Sequence, residues 1–156
     1  MRQLVKTIKY EALDESDFSA EERMLVDSAK EAVKGSYSPY SHFSVGAAVL
    51  LDNGVVVRGA NQENGAYPSG LCAERTALFA AGANYPGQKV VAIAIAAYTD
   101  GRFLPEPITP CGSCAQVMAE TEARAGQPMK ILLYGANGSY RISGVGSILP
   151  FAFSLK

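Results

Sequence analysis

Between Ser19 and Lys34, Met24, Leu25, Ala29, Ala32 and Val33 recur near helical spacing, which predicts a helix with these residues on its buried face. Ser19 with Glu22 three positions on is a capping-box signature at its start, and Gly35 ends it. Two strands are expected next, Phe43 to Leu51 and Val55 to Ala60, joined at the hairpin signal Asp52-Asn53-Gly54. A polar loop, Asn61 to Gly70, leads to a helix from about Cys72 to Ala81, rich in Ala, Leu and Glu and closed by Gly82. Val90 to Tyr98 is a continuous apolar run, as in a central strand covered on both faces.

Asp100 to Pro110 carries three prolines and is expected to be a loop. Cys111 to Arg124 resumes helical composition, Lys130 to Tyr134 is a further strand, and Ser139 to Ile142 a short fifth one. This order predicts an α/β fold, a three-layer α/β/α sandwich around a five-stranded mixed sheet. One domain is expected over residues 1–156, with residues 1–17 an extension to which no element is assigned.

Composition narrows the function. The 156 residues suit a single core, and 48% hydrophobic content is in the globular range. A net charge of −1, from 14 basic and 15 acidic residues without a basic cluster, argues against a nucleic-acid partner. The N-terminus lacks the apolar core of a signal peptide, and no apolar stretch approaches the roughly 20 residues that cross a bilayer. A cytoplasmic protein with no membrane partner is expected. The three cysteines, an odd number, favour thiols over disulfides and are all free for metal.

Two motifs use all three: Cys72-Ala73-Glu74 and Pro110-Cys111-Gly112-Ser113-Cys114. Each is placed where a helix begins after a loop, and helix N-termini stabilise thiolates through unpaired N–H groups and the dipole. The CxxC spacing turns two sulfurs to a common point, and a third from another helix completes the ligand number of a catalytic zinc with one open position. A lone cysteine at a helix start is more often only a small buried residue. CGSC also fits a thioredoxin-like redox pair, which leaves Cys72 and Glu74 idle. A structural zinc site needs a fourth ligand, and the one histidine, His42, lies in a Tyr/Ser/Pro-rich loop. Glu74 beside the metal is the candidate general acid and base, although a glutamate in a first helical turn is ordinarily a surface charge.

Beyond these motifs the chain resembles the cytidine deaminase family, in its small form with three cysteine ligands. Residues Tyr37 to Ala48, YSPYSHFSVGAA, look like that family's opening segment, and Asn61-Gln62-Glu63-Asn64 like its ribose-binding NxEN motif. Leu71 to Ala77, LCAERTA, matches the helix carrying the first ligand, and Leu149 to Phe153, LPFAF, the C-terminal segment.

The resemblance implies one zinc ion per chain held by Cys72, Cys111 and Cys114, with Glu74 carrying protons between water, the pyrimidine ring and the leaving ammonia. Asn61 and Glu63 would bond the ribose hydroxyls, Phe43 would pack against the base, and backbone groups of Ala73 and Thr109 would read its edge. Arg75 would tune the ligand sulfurs. Phe153 would reach a neighbouring subunit's pocket within a homotetramer. Taken singly, Phe43 fits a core residue, Phe153 a tail anchor, and Asn61 and Glu63 a solvated loop.

Ala115 departs from the family, whose members commonly carry Arg directly after the last ligand. Three thiolates on one zinc ion leave a net charge of −1, which opposes ionisation of water there; Arg75 is retained to offset it. The expected reaction is deamination of cytidine or deoxycytidine in pyrimidine salvage. Rival readings are a deaminase of another aminopyrimidine, a nucleoside-binding zinc protein without turnover, and a polynucleotide deaminase, the last disfavoured by charge.

Overall fold

The first helix begins where its cap predicts. In the structure, a computed structural model that describes residues 1–155, α1 spans Ala20–Ala32. Lys156, the last residue of the expected domain, lies outside the described residues. Ser19 Oγ accepts the Glu22 N–H at 3.2 Å, and Glu22 returns the bond to the Ser19 N–H at 2.9 Å. Leu25, Val26, Ala29 and Ala32 are buried, but Met24 is not. Met24 stands five residues, about 140° around the helix, from Ala29 and so falls off the stripe.

Strands β1 (Glu11–Leu13), β2 (Ser44–Leu51), β3 (Val56–Ala60), β4 (Val90–Thr99), β5 (Arg102–Phe103), β6 (Lys130–Leu133) and β7 (Ser139–Ser143) form one mixed sheet. Its order is β1-β7-β6-β4-β2-β3, with β5 added to β4. Among the described residues the sheet therefore has seven strands rather than five. The additions are β1, in the N-terminal extension, and β5, inside the segment expected to be a loop. Each is too short to show an alternation that sequence reading can detect.

Helices α2 (Ala73–Asn84) and α3 (Gly112–Ala125) follow. Gly82 lies inside α2 rather than closing it. The stop is Pro86, which drives the preceding Tyr85 out of helical geometry, to φ −132 and ψ 60.

Alternation along the strands builds two cores. Val45, Ala47, Val49 and Leu51 of β2 join Ile93 and Ile95 of β4 and Ile131 and Leu133 of β6 under α2 and α3. The intervening Ala48, Leu50, Ala92, Ala94 and Leu132 face α1 on the other side. This is the expected three-layer arrangement.

Direction sets where the site forms. β3 and β4 are both antiparallel to β2, and β6 is parallel to β4, so β3, β4 and β6 point the same way. α2 follows β3 and α3 follows β4, which places both helix N-termini at one end of the sheet, on one face. Such carboxyl ends of strands are where open α/β sheets bind ligands.

Candidate active site and metal centre

Cys72 and Cys111 are the N-cap residues of α2 and α3, and Cys114 lies in the first turn of α3. Their three sulfurs lie within 4.8 Å of one another, with Cys72 Sγ 3.9 Å from Cys111 Sγ. A disulfide brings its sulfurs to about 2.05 Å; these thiols are free. A tetrahedral zinc ion with bonds of about 2.3 Å separates its sulfurs by about 3.8 Å, so the donor set fits that ion. Three protein donors leave the fourth position to solvent, the pattern of a catalytic site. His42 is exposed and stands outside this cluster.

Arg75, one turn beyond Cys72, donates from Nη2 to Cys72 Sγ at 3.6 Å. The Cys72 thiol is brought down to about 5, by the hydrogen bond from Cys114 and, against burial, by Arg75. Cys114 is pushed up, as the proton-holding partner of that bond and by burial. Glu74 is only 4% exposed, and burial raises its carboxyl above the usual range, reinforced by the neighbouring Cys72 charge. Ala115 is buried in the first turn of α3, where an unpaired arginine would carry a large desolvation cost.

A cleft of ≈ 490 Å³ opens beside Cys72 and Arg75, and Asn61 and Glu63 form part of its wall. The segment carrying them is held as a small ladder. Gln62 exchanges backbone hydrogen bonds with Leu71 at 2.8 and 3.0 Å, and Tyr37 bonds Asn61 and Glu63 at 3.0 and 2.8 Å. The ladder delivers the chain directly from this wall to Cys72.

Both polar side chains are already partly engaged. Asn61 Nδ2 donates to Phe43 O at 2.8 Å, while its Oδ1 accepts from Val45 N–H at 2.8 Å and Ser36 Oγ at 2.6 Å. One of its two N–H groups remains for a ligand. The Glu63 carboxylate accepts the N–H groups of Tyr40 and Ser41 at 2.9 and 3.2 Å, and the Ser41 hydroxyl. The Ser41 hydroxyl bond, with the two N–H groups, holds Glu63 below the usual carboxylate range.

The other candidates are more dispersed. Phe43 is half-buried and packs against the α2/α3 core, while its carbonyl fixes Asn61. Ala73 is fully buried as the first residue of α2, and Thr109 is exposed on the loop entering α3. Phe153 is 69% exposed and is not among the residues lining the cleft. Its backbone is clamped by Gln116, which donates to Phe153 O at 2.8 Å and accepts its N–H at 3.2 Å. In the sequence Gln116 matches the residue expected after Ala115 but carries no assigned role, and Tyr40 and Tyr67 give no sign of lining a cleft; their partners lie in segments brought together only by folding.

Residues 19–127 match the family model described as the cytidine and deoxycytidylate deaminase zinc-binding region. A cytidine deaminase of Halalkalibacterium halodurans is 44% identical over 135 residues, covering 86% of this chain and 95% of that protein. Among solved structures, a cytidine deaminase of Burkholderia pseudomallei shares 41% identity with a TM-score of 0.70, covering 83% of this chain and 97% of that one. A cytidine deaminase of Mycobacterium tuberculosis aligns with a TM-score of 0.66 at 36% identity, over 85% of this chain and 96% of its own.

Proposed function

The chain belongs to the cytidine and deoxycytidylate deaminase family, and from that premise we propose that it hydrolyses cytidine and deoxycytidine to uridine or deoxyuridine and ammonia. The observation that carries this reading is the three-thiol cluster with buried Glu74 beside it. We assign Cys72, Cys111 and Cys114 as ligands of one zinc ion, which supplies a Lewis acid that lowers the pKa of water to about 7.

Glu74 then does the proton work. It accepts a proton from the attacking water and passes it to ring N3 while the water oxygen bonds to C4. The proton of the resulting hydroxyl travels over the same carboxyl to the amino nitrogen, the C4–N bond breaks, and ammonia leaves. Arg75 holds Cys72 in its ligating position. The remaining Asn61 N–H and the open lone pairs of Glu63 meet the ribose, Phe43 packs against the base, and backbone groups of Ala73 and Thr109 read the pyrimidine edge.

In this reading, residues 1–156 form one domain, and four copies assemble so that Phe153 of each enters a neighbour's site. Its exposure, with that of Phe151 and Leu155, supports such a contact. Among the described residues no helix is long and apolar enough to cross a membrane, in keeping with pyrimidine salvage in the cytoplasm.

The test follows cytidine absorbance with the intact protein, Glu74→Ala and a zinc-stripped sample. Conversion by the intact protein alone is expected. A folded, zinc-loaded protein that leaves cytidine and deoxycytidine unchanged would refute the assignment and point to another aminopyrimidine.

A further inference from the structure

The N-terminal extension precedes the family match, which begins at residue 19, yet it is built onto the fold. Phe18 and Leu13 are buried in the core facing α1. β1 then pairs with β7, Glu11 opposite Arg141 and Leu13 opposite Ser139. Arg141 donates from Nη1 to Glu11 at 2.7 Å, and the Tyr10 ring meets Tyr140 edge-on at 5.1 Å.

Residues 1–9 form no regular element and are exposed, but one of them is anchored far along the chain. Lys6 Nζ donates to Pro150 O at 2.5 Å and stands 5.4 Å from the centre of the Phe151 ring. Pro150 and Phe151 belong to the segment that also holds Phe153. On its other side this segment is clamped by Gln116, two residues beyond Cys114 on α3. Among the described residues the C-terminal tail has no strand or helix of its own past Pro150. Side-chain anchors therefore limit its motion.

We propose that residues 1–10 are a strap that fixes the C-terminal segment, with Lys6 as the positioning residue that sets where Phe153 points. The strap bridges β7 and the tail, so the extension's free end, β1 and the tail form one mechanical unit. Its consequence for catalysis rests on the reading above that Phe153 enters a neighbouring site. The hold on the tail itself does not.

The test compares full-length, zinc-loaded wild type with Lys6→Ala, Lys6→Arg and a chain lacking residues 1–9. Hydrogen exchange at the Phe153 amide, bonded to Gln116, reports the tail directly. Exchange should quicken about tenfold in Lys6→Ala and in the truncation, and return to the wild-type rate in Lys6→Arg, whose guanidinium both donates and stacks on Phe151. The KM for cytidine should rise severalfold in the same two variants with kcat within about twofold. Unchanged exchange in both overturns the strap. Faster exchange with an unchanged KM supports the strap and overturns the role of Phe153 in a substrate site. Should the truncation fail to fold, the Lys6 pair carries the test alone.

Discussion

Glu74 stands two residues after Cys72, an offset that sends side chains to different sides of a regular helix. Cys72, however, is the N-cap, with extended φ −70 and ψ 158, so the helical rule does not apply between them. That is why a motif readable from sequence alone places a carboxyl beside a thiol. Glu74→Gln keeps the shape and removes the proton shuttle. We expect kcat to fall by about 10²–10⁴ while metal analysis still finds one zinc ion per chain; unchanged turnover would remove Glu74 from the mechanism. The sequence offered Asn61 as a candidate but not its engagement, because its partners Ser36, Phe43 and Val45 lie 16 to 25 residues earlier in the chain. Gly59 carried no signal in the sequence. A Cβ there would lie 2.7 Å from Ala73 O and meet the backbone of Ala77 as well, so only glycine lets α2 rest on β3. Gly59→Ala should lower stability by about 1–3 kcal/mol, read as a shift in the urea midpoint.

At the scale of elements, α1 was readable because its cap and apolar stripe are local, whereas β1 depends on a distant partner. Arg141 of β7 joins them, donating to Glu11 of β1 and to Glu22 of α1. Glu22 closes the capping box, accepts from Arg141 Nε at 2.8 Å and Nη2 at 2.7 Å, and pairs with Lys130 at 3.1 Å. Burial acts to raise its carboxyl, but Arg141, the Ser19 N–H and Lys130 outweigh it and bring it down to about 2, from the ordinary 4.5. Because the folded value is the lower one, the contribution to stability is fully present above about 4.5 and is lost as pH falls towards 2. A shift of that size is worth on the order of 3 kcal/mol. Urea unfolding between pH 7 and 2.5 should show wild type losing its advantage over Glu22→Gln across that window. A gap that stays constant with pH would mean that Glu22 is not the linked group.

For the molecule as a whole, the metal centre depends on strand direction more than on any motif. The sequence names the three cysteines; only the common direction of β3 and β4 brings the N-termini of α2 and α3, 39 residues apart at Cys72 and Cys111, to one point. A zinc ion bound there ties the two helices together, and binding only the folded chain stabilises it by mass action. Each helix is also held without metal, α2 by Ala77, Leu78 and Ala81 and α3 by Met118, all buried on the sheet. Zinc removal is therefore expected to weaken the fold without abolishing it, unlike small zinc domains whose core is the metal. With free zinc at about 100 times its Kd the linkage is worth about 2.7 kcal/mol, or roughly 5–11 °C in Tm for a chain of this size. Thermal unfolding with and without chelator should show that drop together with a transition that remains cooperative. Cys111→Ser should shrink the difference towards zero, because two thiols hold the ion far less tightly. Equal midpoints for the zinc-loaded and stripped wild type would mean that the thiol cluster does not join the helices through a metal.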